Sequence, residues 1–197
     1  MLELDHVLCF VEPGGDWAAR ATAAGWTLGD GRVHEGQGTR NRTLAFAARY
    51  LELIWVYDRG DAARNPVRLD RRAEWRTTGA SPFGFGLRGQ LPDELRDAFW
   101  AYQPPYSPGF TIWIHGDNER APERPLVFVM EIALDQMASM RQRTQGRLAL
   151  REVRLFGPHA PPPVPGLGVH HEPRAAPRLE LVVGERPVEL TELVAIR

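Results

Sequence analysis

The sequence predicts an α+β protein built from two βαβββ modules. Alternating or continuous apolar runs mark strands in both halves of the chain, and a strand, helix, strand order occurs in each half. Between the halves, residues 59–80 are rich in arginine and aspartate and show no clear periodicity. We therefore assign residues 1–58 to a first module, 59–80 to a surface connection with one helical turn, and 81–197 to a second, divergent module with additional C-terminal strands.

The first half carries the clearer pattern. Leu4–Val11 is apolar on both faces and predicts a buried strand, with His6 on the face that we assign to Leu4, Leu8 and Phe10. Asp16 as N-cap and Gly25 as a stop delimit a short alanine-rich helix. Three further strands are predicted over Trp26–Val33, Thr39–Ala47 and Tyr50–Asp58.

The second half repeats this order more loosely. Phe83–Arg88 predicts the opening strand, and Gly84 and Gly86 in it allow a backbone or a ligand to approach closely. A helix is predicted from about Pro92 to Tyr102, because proline and aspartate suit a first helical turn. The remaining predictions are strands at Phe110–His115, Leu126–Ile132, Leu150–Phe156, Leu179–Val183 and Val188–Val194, a helix at Leu134–Arg143, and an extended, exposed proline-rich stretch at His159–Pro165.

Composition excludes several classes of function. All 24 basic residues are arginine, so no lysine can form a Schiff base or act as a general base. The net charge of -1 provides no field to attract nucleic acid or anionic lipid, and no apolar run is long enough to cross a membrane. The single cysteine, Cys9, and an amino terminus without the features of a signal peptide predict a cytoplasmic protein.

Two ionisable residues occupy apolar strands, where burial of a charge costs several kcal/mol unless it is paired. His6 lies in the first strand, and Glu52 is the only charge in Tyr50–Val56. Together they offer one nitrogen and one oxygen ligand, which suits Fe(II), Mn(II), Ni(II) or Zn(II) better than calcium. The sequence therefore predicts a metal site on His6 and Glu52, although each residue could instead be neutralised by another protein group.

Glu131 is the corresponding single charge in the apolar strand Leu126–Ile132. We predict it as a third metal ligand or as a catalytic general base, with pairing to arginine as the alternative. The expected opening strand of the second half contains no ligating side chain, so a second histidine ligand is missing there and could be replaced by His115 or His34.

Candidate substrate-binding residues come from a polar loop and from aromatic side chains. His34–Arg42 combines glycines with many hydrogen-bonding groups, as in loops that enclose a polar ligand or form a tight hairpin. We predict substrate contacts from His34, Arg40, Asn41, Trp55, Tyr57 and Trp113. Phosphate-loop, serine hydrolase, redox CxxC and zincin motifs are all absent from the sequence.

These residues resemble a known family. Leu4–Val7, His34–Asn41 and Tyr50–Ile54 are similar to the glyoxalase-like branch of the vicinal oxygen chelate superfamily, and 125–131 and 150–155 resemble its later strands. The resemblance implies a curved, mostly antiparallel sheet around a central cleft. It also implies that His6 and Glu52 match metal ligands of one module, and that Glu131 matches a ligand of the other.

Two functions follow as expectations. The first is a small-molecule enzyme of lyase, isomerase or dioxygenase type, in which a divalent metal binds adjacent oxygens of the substrate. The second is a metal-free binding or resistance protein on the same fold, with no cofactor at all. A homodimer is compatible with either function.

Overall fold

The strands of both halves join into a single sheet in the computed structural model, which describes residues 1–132 and 146–190. The first module has the predicted βαβββ order. Its elements are β1 (Glu3–Phe10), α1 (Trp17–Ala23), β2 (Val33–His34), β3 (Thr39–Ala45) and β4 (Tyr50–Val56). Three short helices then connect the modules: α2 (Arg59–Arg64), α3 (Leu69–Ala73) and α4 (Trp75–Thr78).

The second module repeats the strand order with a 3₁₀ helix in place of an α-helix. Its elements are β5 (Phe83–Gly89), the 3₁₀ helix (Asp93–Ala98), β6 (Phe99–Tyr102), β7 (Ile112–His115), α5 (Asp117–Arg120) and β8 (Leu126–Glu131). The sheet order is β2-β3-β4-β1-β5-β8-β7-β6. β1 and β5 run antiparallel at the centre, and each is flanked by a parallel strand of its own module, β4 or β8. The sheet curls into an open half-barrel, as the predicted fold class requires.

A second sheet of four strands forms from the C-terminal part of the chain. It contains β9 (Leu150–Gly157), β10 (Val169–Pro173), β11 (Arg178–Val183) and β12 (Arg186–Glu189), in the order β10-β9-β11-β12. Val153, Leu155, Leu179 and Leu181 on these strands are buried in the same apolar cluster as α1 and the eight-stranded sheet. The C-terminal sheet therefore covers one face of the half-barrel, which we call the outer face.

The two faces of the eight-stranded sheet have separate apolar clusters. Val7, Cys9, Phe85 and Val129 belong to the cluster of the outer face. The inner face is the concave one, and its cluster combines strand residues such as Leu8 and Phe128 with side chains of the connecting helices and of β6 and β7. Alternation along each strand thus assigns its side chains to one face or the other.

A β-bulge at Asp5 interrupts this alternation in β1. Leu4 pairs with Leu87 of β5, but the next pair is His6 with Gly86, so Asp5 is the extra residue. Leu4 consequently packs in the outer cluster, whereas Leu8 and Phe10 pack in the inner one. The predicted placement of Leu4 on the face of His6 is wrong for this reason, and Asp5 comes to lie beside His6.

Other sequence predictions need correction at particular elements. The predicted helix at 92–102 ends at Ala98, and its last four residues form β6, which pairs with β7. Only Val33 of the predicted strand 26–33 is in β2, and Leu28 makes an isolated bridge to Leu44. The connection 59–80 contains three helices instead of one turn. β10 is a strand that the sequence reasoning missed, and the helix predicted at 134–143 lies outside the described residues.

A buried arginine holds the connection against the second module. The Arg72 side chain donates hydrogen bonds to the carbonyl oxygens of Ser81, Pro122 and Arg124 and to the Asn118 side chain, at 3.0–3.2 Å. These contacts fix α3, whose Leu69 contributes to the inner cluster. Within residues 1–132 and 146–190, no helix has both the length and the apolar character that a membrane crossing requires.

Candidate functional site

The inner face of the half-barrel encloses a cavity of about 260 Å³, and its lining is chemically divided. One end is polar and is formed mainly by the first module. It is lined by His6, Arg32, His34, Gln37, Asn41, Tyr50, Glu52, Tyr102, Tyr106 and Ser107. The remaining wall is apolar and is lined by Leu8, Ile54, Val67, Leu69, Phe110, Ile112, Ile114, Leu126, Phe128 and Met130. Such a cavity fits a small molecule with an apolar body and one polar end.

His6 lies at the centre of the polar end and is held from three sides. Its Nδ1 is 2.8 Å from Asp5 Oδ2, and its Nε2 is 3.4 Å from Glu52 Oε2. The ring stacks on Tyr50, with the ring centroids 4.4 Å apart. The imidazole is 2% exposed, so its orientation is fixed by these contacts and not by solvent.

The ring of His6 occupies space that a side chain at position 86 would otherwise fill. A Cβ on Gly86 would lie 2.4 Å from His6 Cε1 and 2.8 Å from both ring nitrogens. Glycine at this position does admit a close approach, but the approaching group is the imidazole of His6 and not the backbone or ligand that the sequence predicted.

Asp5 connects His6 to a buried arginine of the second module. Arg88 Nη1 donates to Asp5 Oδ1 at 2.6 Å, and Arg88 Nε donates to Glu3 Oε1 at 2.7 Å. Arg88 also donates to the Ala48 carbonyl oxygen. The charge of Asp5 is thereby shared between Arg88 and His6, and the two modules are joined through a buried ionic chain.

Glu52 reaches the same point from β4. Its side chain is buried, its Oε1 accepts a hydrogen bond from Asn41 Nδ2 at 2.5 Å, and its Oε2 faces His6. Asn41 is fixed in turn, because its Oδ1 accepts from the backbone N–H of Arg32 at 2.7 Å. The antiparallel pairing of β3 with β4 places Asn41 opposite Ile54, close enough to reach the carboxylate diagonally.

The electrostatic environment favours the charged forms of both partners. Burial by itself lowers the pKa of His6, but hydrogen bonds and negative charges from Asp5 and Glu52 outweigh it and raise the pKa to about 9. Burial opposes ionisation of Glu52 as well, yet the hydrogen bond and charge of His6 bring its pKa below the ordinary value. Burial lowers the pKa of His34, which is therefore neutral at pH 7. The floor of the cavity holds an imidazolium and a carboxylate.

The donor set does not fit a divalent ion held by the protein. In the part of the chain that the structure describes, no group of three or more His, Cys, Asp or Glu side chains is positioned to hold a metal. His6 Nε2 and Glu52 Oε2 lie 3.4 Å apart and provide one nitrogen and one oxygen donor, fewer than a divalent ion held by protein side chains takes. The second module lines the cavity with apolar side chains and with Tyr102, Tyr106 and Ser107, so it offers no histidine or carboxylate ligand for Fe(II), Mn(II), Ni(II) or Zn(II) there.

The structure does not bring Glu131 to this site. Leu126, Phe128 and Met130 of β8 line the cavity, and Glu131 has the opposite strand parity. Its carboxylate accepts from Arg96 Nη2 at 2.9 Å and from Trp113 Nε1 at 3.0 Å. Glu131 is therefore paired with an arginine, which was the alternative that the sequence left open.

Only some of the predicted substrate-binding residues lie on the face of the sheet that lines the cavity. His34 and Asn41 line the cavity with His6 and Glu52. Trp55 packs against the outer cluster, beside Trp17 and under the guanidinium of Arg40, and Trp113 also packs on that side. Tyr57 is largely exposed beyond the end of β4. The structure therefore does not place Arg40, Trp55, Tyr57 or Trp113 at the cavity.

Several residues of the site escaped the sequence reasoning. The position of Asp5 beside His6 could not be predicted, because it depends on the bulge. Arg88 could have been found, since it is the only charged residue in Phe83–Gly89. Gln37, Tyr102 and Tyr106 also line the polar end. Tyr106 comes from the irregular segment between β6 and β7 and stacks on His34, with centroids 4.5 Å apart. No periodic pattern in the sequence marks such a segment.

Comparison with known proteins finds a matching family model and several similar solved structures. A family model described as a glyoxalase-like domain matches residues 4–136, well over half of the chain. A hypothetical protein from Staphylococcus aureus is similar in fold, with a TM-score of 0.55 and 13% identity over 79% of this chain and 69% of that chain. Methylmalonyl-CoA epimerase from Mycobacterium tuberculosis gives a TM-score of 0.44 and 19% identity over 69% of this chain and 91% of its own. No curated protein matches the chain.

Substitution of Gly86 tests whether the space beside His6 is as restricted as the structure indicates. We expect Gly86→Ala to lower the free energy of unfolding by about 1–3 kcal/mol, because the new methyl group displaces the buried ring. Gly84→Ala is the matched control on the same strand. It should lose less stability, since its Cβ would meet Leu126 Cβ at 3.2 Å and would not overlap a buried ring. Urea denaturation measures both. Equal losses in the two variants would show that the imidazole is not the obstacle.

The pH dependence of stability tests the buried ion pair. The folded-state pKa of His6 is raised from 6.5 to about 9, so its contribution is complete below about pH 6.5 and is lost as the pH rises through 9. The folded-state pKa of Glu52 is lowered from 4.5, so its contribution is present above that pH and is lost as the pH falls. Urea denaturation across this range is expected to show both declines, with a loss of a few kcal/mol on the alkaline side.

The variant Glu52→Gln distinguishes the titration of His6 from that of other groups in the pH dependence of stability. Tyr50, His34, Asp5 and Arg88 also face the pair, but Glu52 contributes directly to the raised pKa of His6. Glu52→Gln should therefore move the alkaline decline to lower pH, whereas the exposed His159→Gln should leave the curve unchanged. Parallel curves for the wild type and Glu52→Gln between pH 6.5 and 9 would contradict the assignment.

Proposed function

The chain belongs to the glyoxalase-like domain family of the vicinal oxygen chelate superfamily, and on that basis we propose that it is a small-molecule enzyme that transfers a proton on its substrate. The observation that carries this proposal is the His6–Glu52 pair, which is buried at the polar end of a cavity whose remaining wall is apolar. Proton transfer at carbon is a step common to isomerases and lyases, two of the reaction types expected from the sequence. Glu52 is the proposed base.

The geometry gives each partner a separate task. Asn41 binds Oε1 of Glu52, and Oε2 faces His6 Nε2 at 3.4 Å beside the cavity, so a substrate C–H group that approaches Oε2 also meets the imidazole. His6, held by Asp5, shares a proton with Glu52 and can return one to the substrate. The pair can therefore accept a proton from the substrate and return one that has equilibrated with solvent.

Charge that develops on a substrate oxygen needs donors nearby. Tyr50 and Tyr106 line the polar end, and their hydroxyl groups make no hydrogen bond within the described part of the chain. Burial raises the pKa of Tyr50 well above its usual value, so this hydroxyl stays protonated and able to donate. We assign the two hydroxyls to the substrate oxygen next to the reacting carbon.

A metal-free binding protein is the second candidate, and the apolar wall of the cavity favours it. Ten apolar side chains would bind a hydrophobic body whether or not chemistry follows. This candidate requires the cavity but not the acid–base function of His6 and Glu52. A small molecule is the partner in both cases, and a cytoplasmic location fits both.

Hydrogen–deuterium exchange separates the two candidates. In deuterated buffer with 2-hydroxyacetophenone, an aryl ketone with adjacent oxygens, the wild type is expected to accelerate exchange of the carbon-bound protons next to the carbonyl. Glu52→Gln should slow this exchange at least about 100-fold, in line with the loss of a general base. Glu131→Gln should leave it unchanged, because that carboxylate faces away from the cavity. Proton NMR follows the exchange.

Saturation-transfer NMR with the same ketone completes this comparison. If the ketone binds the wild type but exchanges no faster than in buffer, the binding protein becomes the better description. Loss of exchange in Glu131→Gln with full activity in Glu52→Gln would overturn the site altogether.

Metal addition provides an independent check of the donor analysis. Protein purified without chelator is expected to keep its melting temperature within error when Mn(II), Ni(II) or Zn(II) is added in tenfold excess, because two facing donors do not make a tight site. A rise of several degrees that Glu52→Gln and His6→Ala both abolish would restore a metal site on these residues.

A further inference from the structure

We propose that the substrate is a small monocarboxylic acid with an aromatic or branched apolar body, and that Arg32 binds its carboxylate. This inference deepens the proposed function and concerns the same cavity. It rests on the distribution of charge around the polar end and on Arg32, which has no counter-ion among residues 1–132 and 146–190.

Arg32 is held at the mouth of the cavity, and its guanidinium remains available. Its backbone N–H donates to Asn41 Oδ1, which fixes the residue beside the hydrogen-bond network of Glu52. Nη2 donates to the carbonyl oxygen of Tyr106 at 3.1 Å, and the guanidinium carbon lies 5.2 Å from the centroid of the Tyr106 ring. In the described part of the chain, the side chain of Arg32 makes no other hydrogen bond and no ion pair.

The other charges at this end compensate one another. Glu52 is paired with His6 and bound by Asn41, and Asp5 is paired with Arg88 and His6. The unmatched charge in the lining is therefore positive. A cationic ligand would be repelled by Arg32 and the imidazolium, whereas a carboxylate would find a planar donor group of matching geometry.

The apolar wall of the cavity indicates the chemical character of the rest of the ligand. Phe110, Phe128, Ile112, Ile114 and Met130 present only apolar surface, so polar groups placed there would lose hydrogen bonds to water without replacement. A volume of about 260 Å³ limits the ligand to a compact molecule. A phenyl ring or a branched alkyl chain meets both conditions.

A second oxygen next to the carboxylate would reach the free tyrosine hydroxyls. The Tyr106 ring stacks on His34 and lies 5.2 Å from the Arg32 guanidinium carbon, so Tyr106 lines the same end of the cavity as a carboxylate bound by Arg32. Acids with a 2-hydroxy or 2-oxo group carry an oxygen at that place. We therefore assign 2-hydroxy and 2-oxo acids as the preferred members of the class.

Isothermal titration with 3-phenyllactate and its methyl ester tests the inference, because the two compounds share the same body and differ in the charge. The wild type is expected to bind the acid at least tenfold more tightly than the ester. Arg32→Gln should weaken binding of the acid about tenfold, leave binding of the ester unchanged and so remove the preference, and Arg32→Lys should retain part of it. Arg20→Gln, on α1 at the outer face, is the control with the same change of charge.

Three results would overturn the inference. They are equal binding of acid and ester by the wild type, unchanged binding of the acid by Arg32→Gln, and no binding of either compound at millimolar concentration. The proposed function fails separately. If Glu52→Gln and the wild type bind the acid equally but the wild type catalyses no proton exchange, the anion site stands and the enzyme does not.

Discussion

A single bulge residue sets the chemistry of the inner face. Without the extra residue at position 5, alternation in β1 would leave Asp5 on the face opposite His6. With it, the side chains of Asp5 and His6 meet on the inner face. Arg88 pairs with Asp5 there, and Glu52 pairs with His6. Buried charges of this kind cost several kcal/mol each unless they are paired, so the four groups are interdependent. Because they come from β1, β4 and β5, the same chain of contacts also joins the two modules.

Much of the fold could be predicted from alternation and turn residues. β1, β3, β4, β5 and β8 have long apolar patterns, and all five were found. β6 was missed because Phe99–Tyr102 is only four residues long and follows acidic residues that suit a helix start. The three helices between residues 59 and 78 have four to six residues each, too short for a 3.6-residue period to show.

The site was predictable only in part, because strand parity identifies two faces without saying which one is concave. His6 and Glu52 were brought together as expected, with Asn41 and His34 beside them. Glu131 and Trp113 have the parity of the outer face, where they bind each other and Arg96. A single ionisable residue in an apolar strand thus indicates that its side chain has a hydrogen-bonding or charged partner. The position of that partner shows whether the residue lies at the cavity. Contacts from irregular segments, such as that of Tyr106, have no periodic signal at all.

The glycine at position 86 has a stereochemical consequence. The imidazole fills the space beside Gly86, and the neighbouring β8 adds only the apolar side chains of Leu126, Phe128 and Met130, so the cavity is polar at one end only. A substrate bound there has one favourable orientation, since its reversed pose would set oxygen atoms against Phe128 and Met130. A planar carbon in that pose exposes a single prochiral face to the proton donor, so the product formed at this site would be one enantiomer.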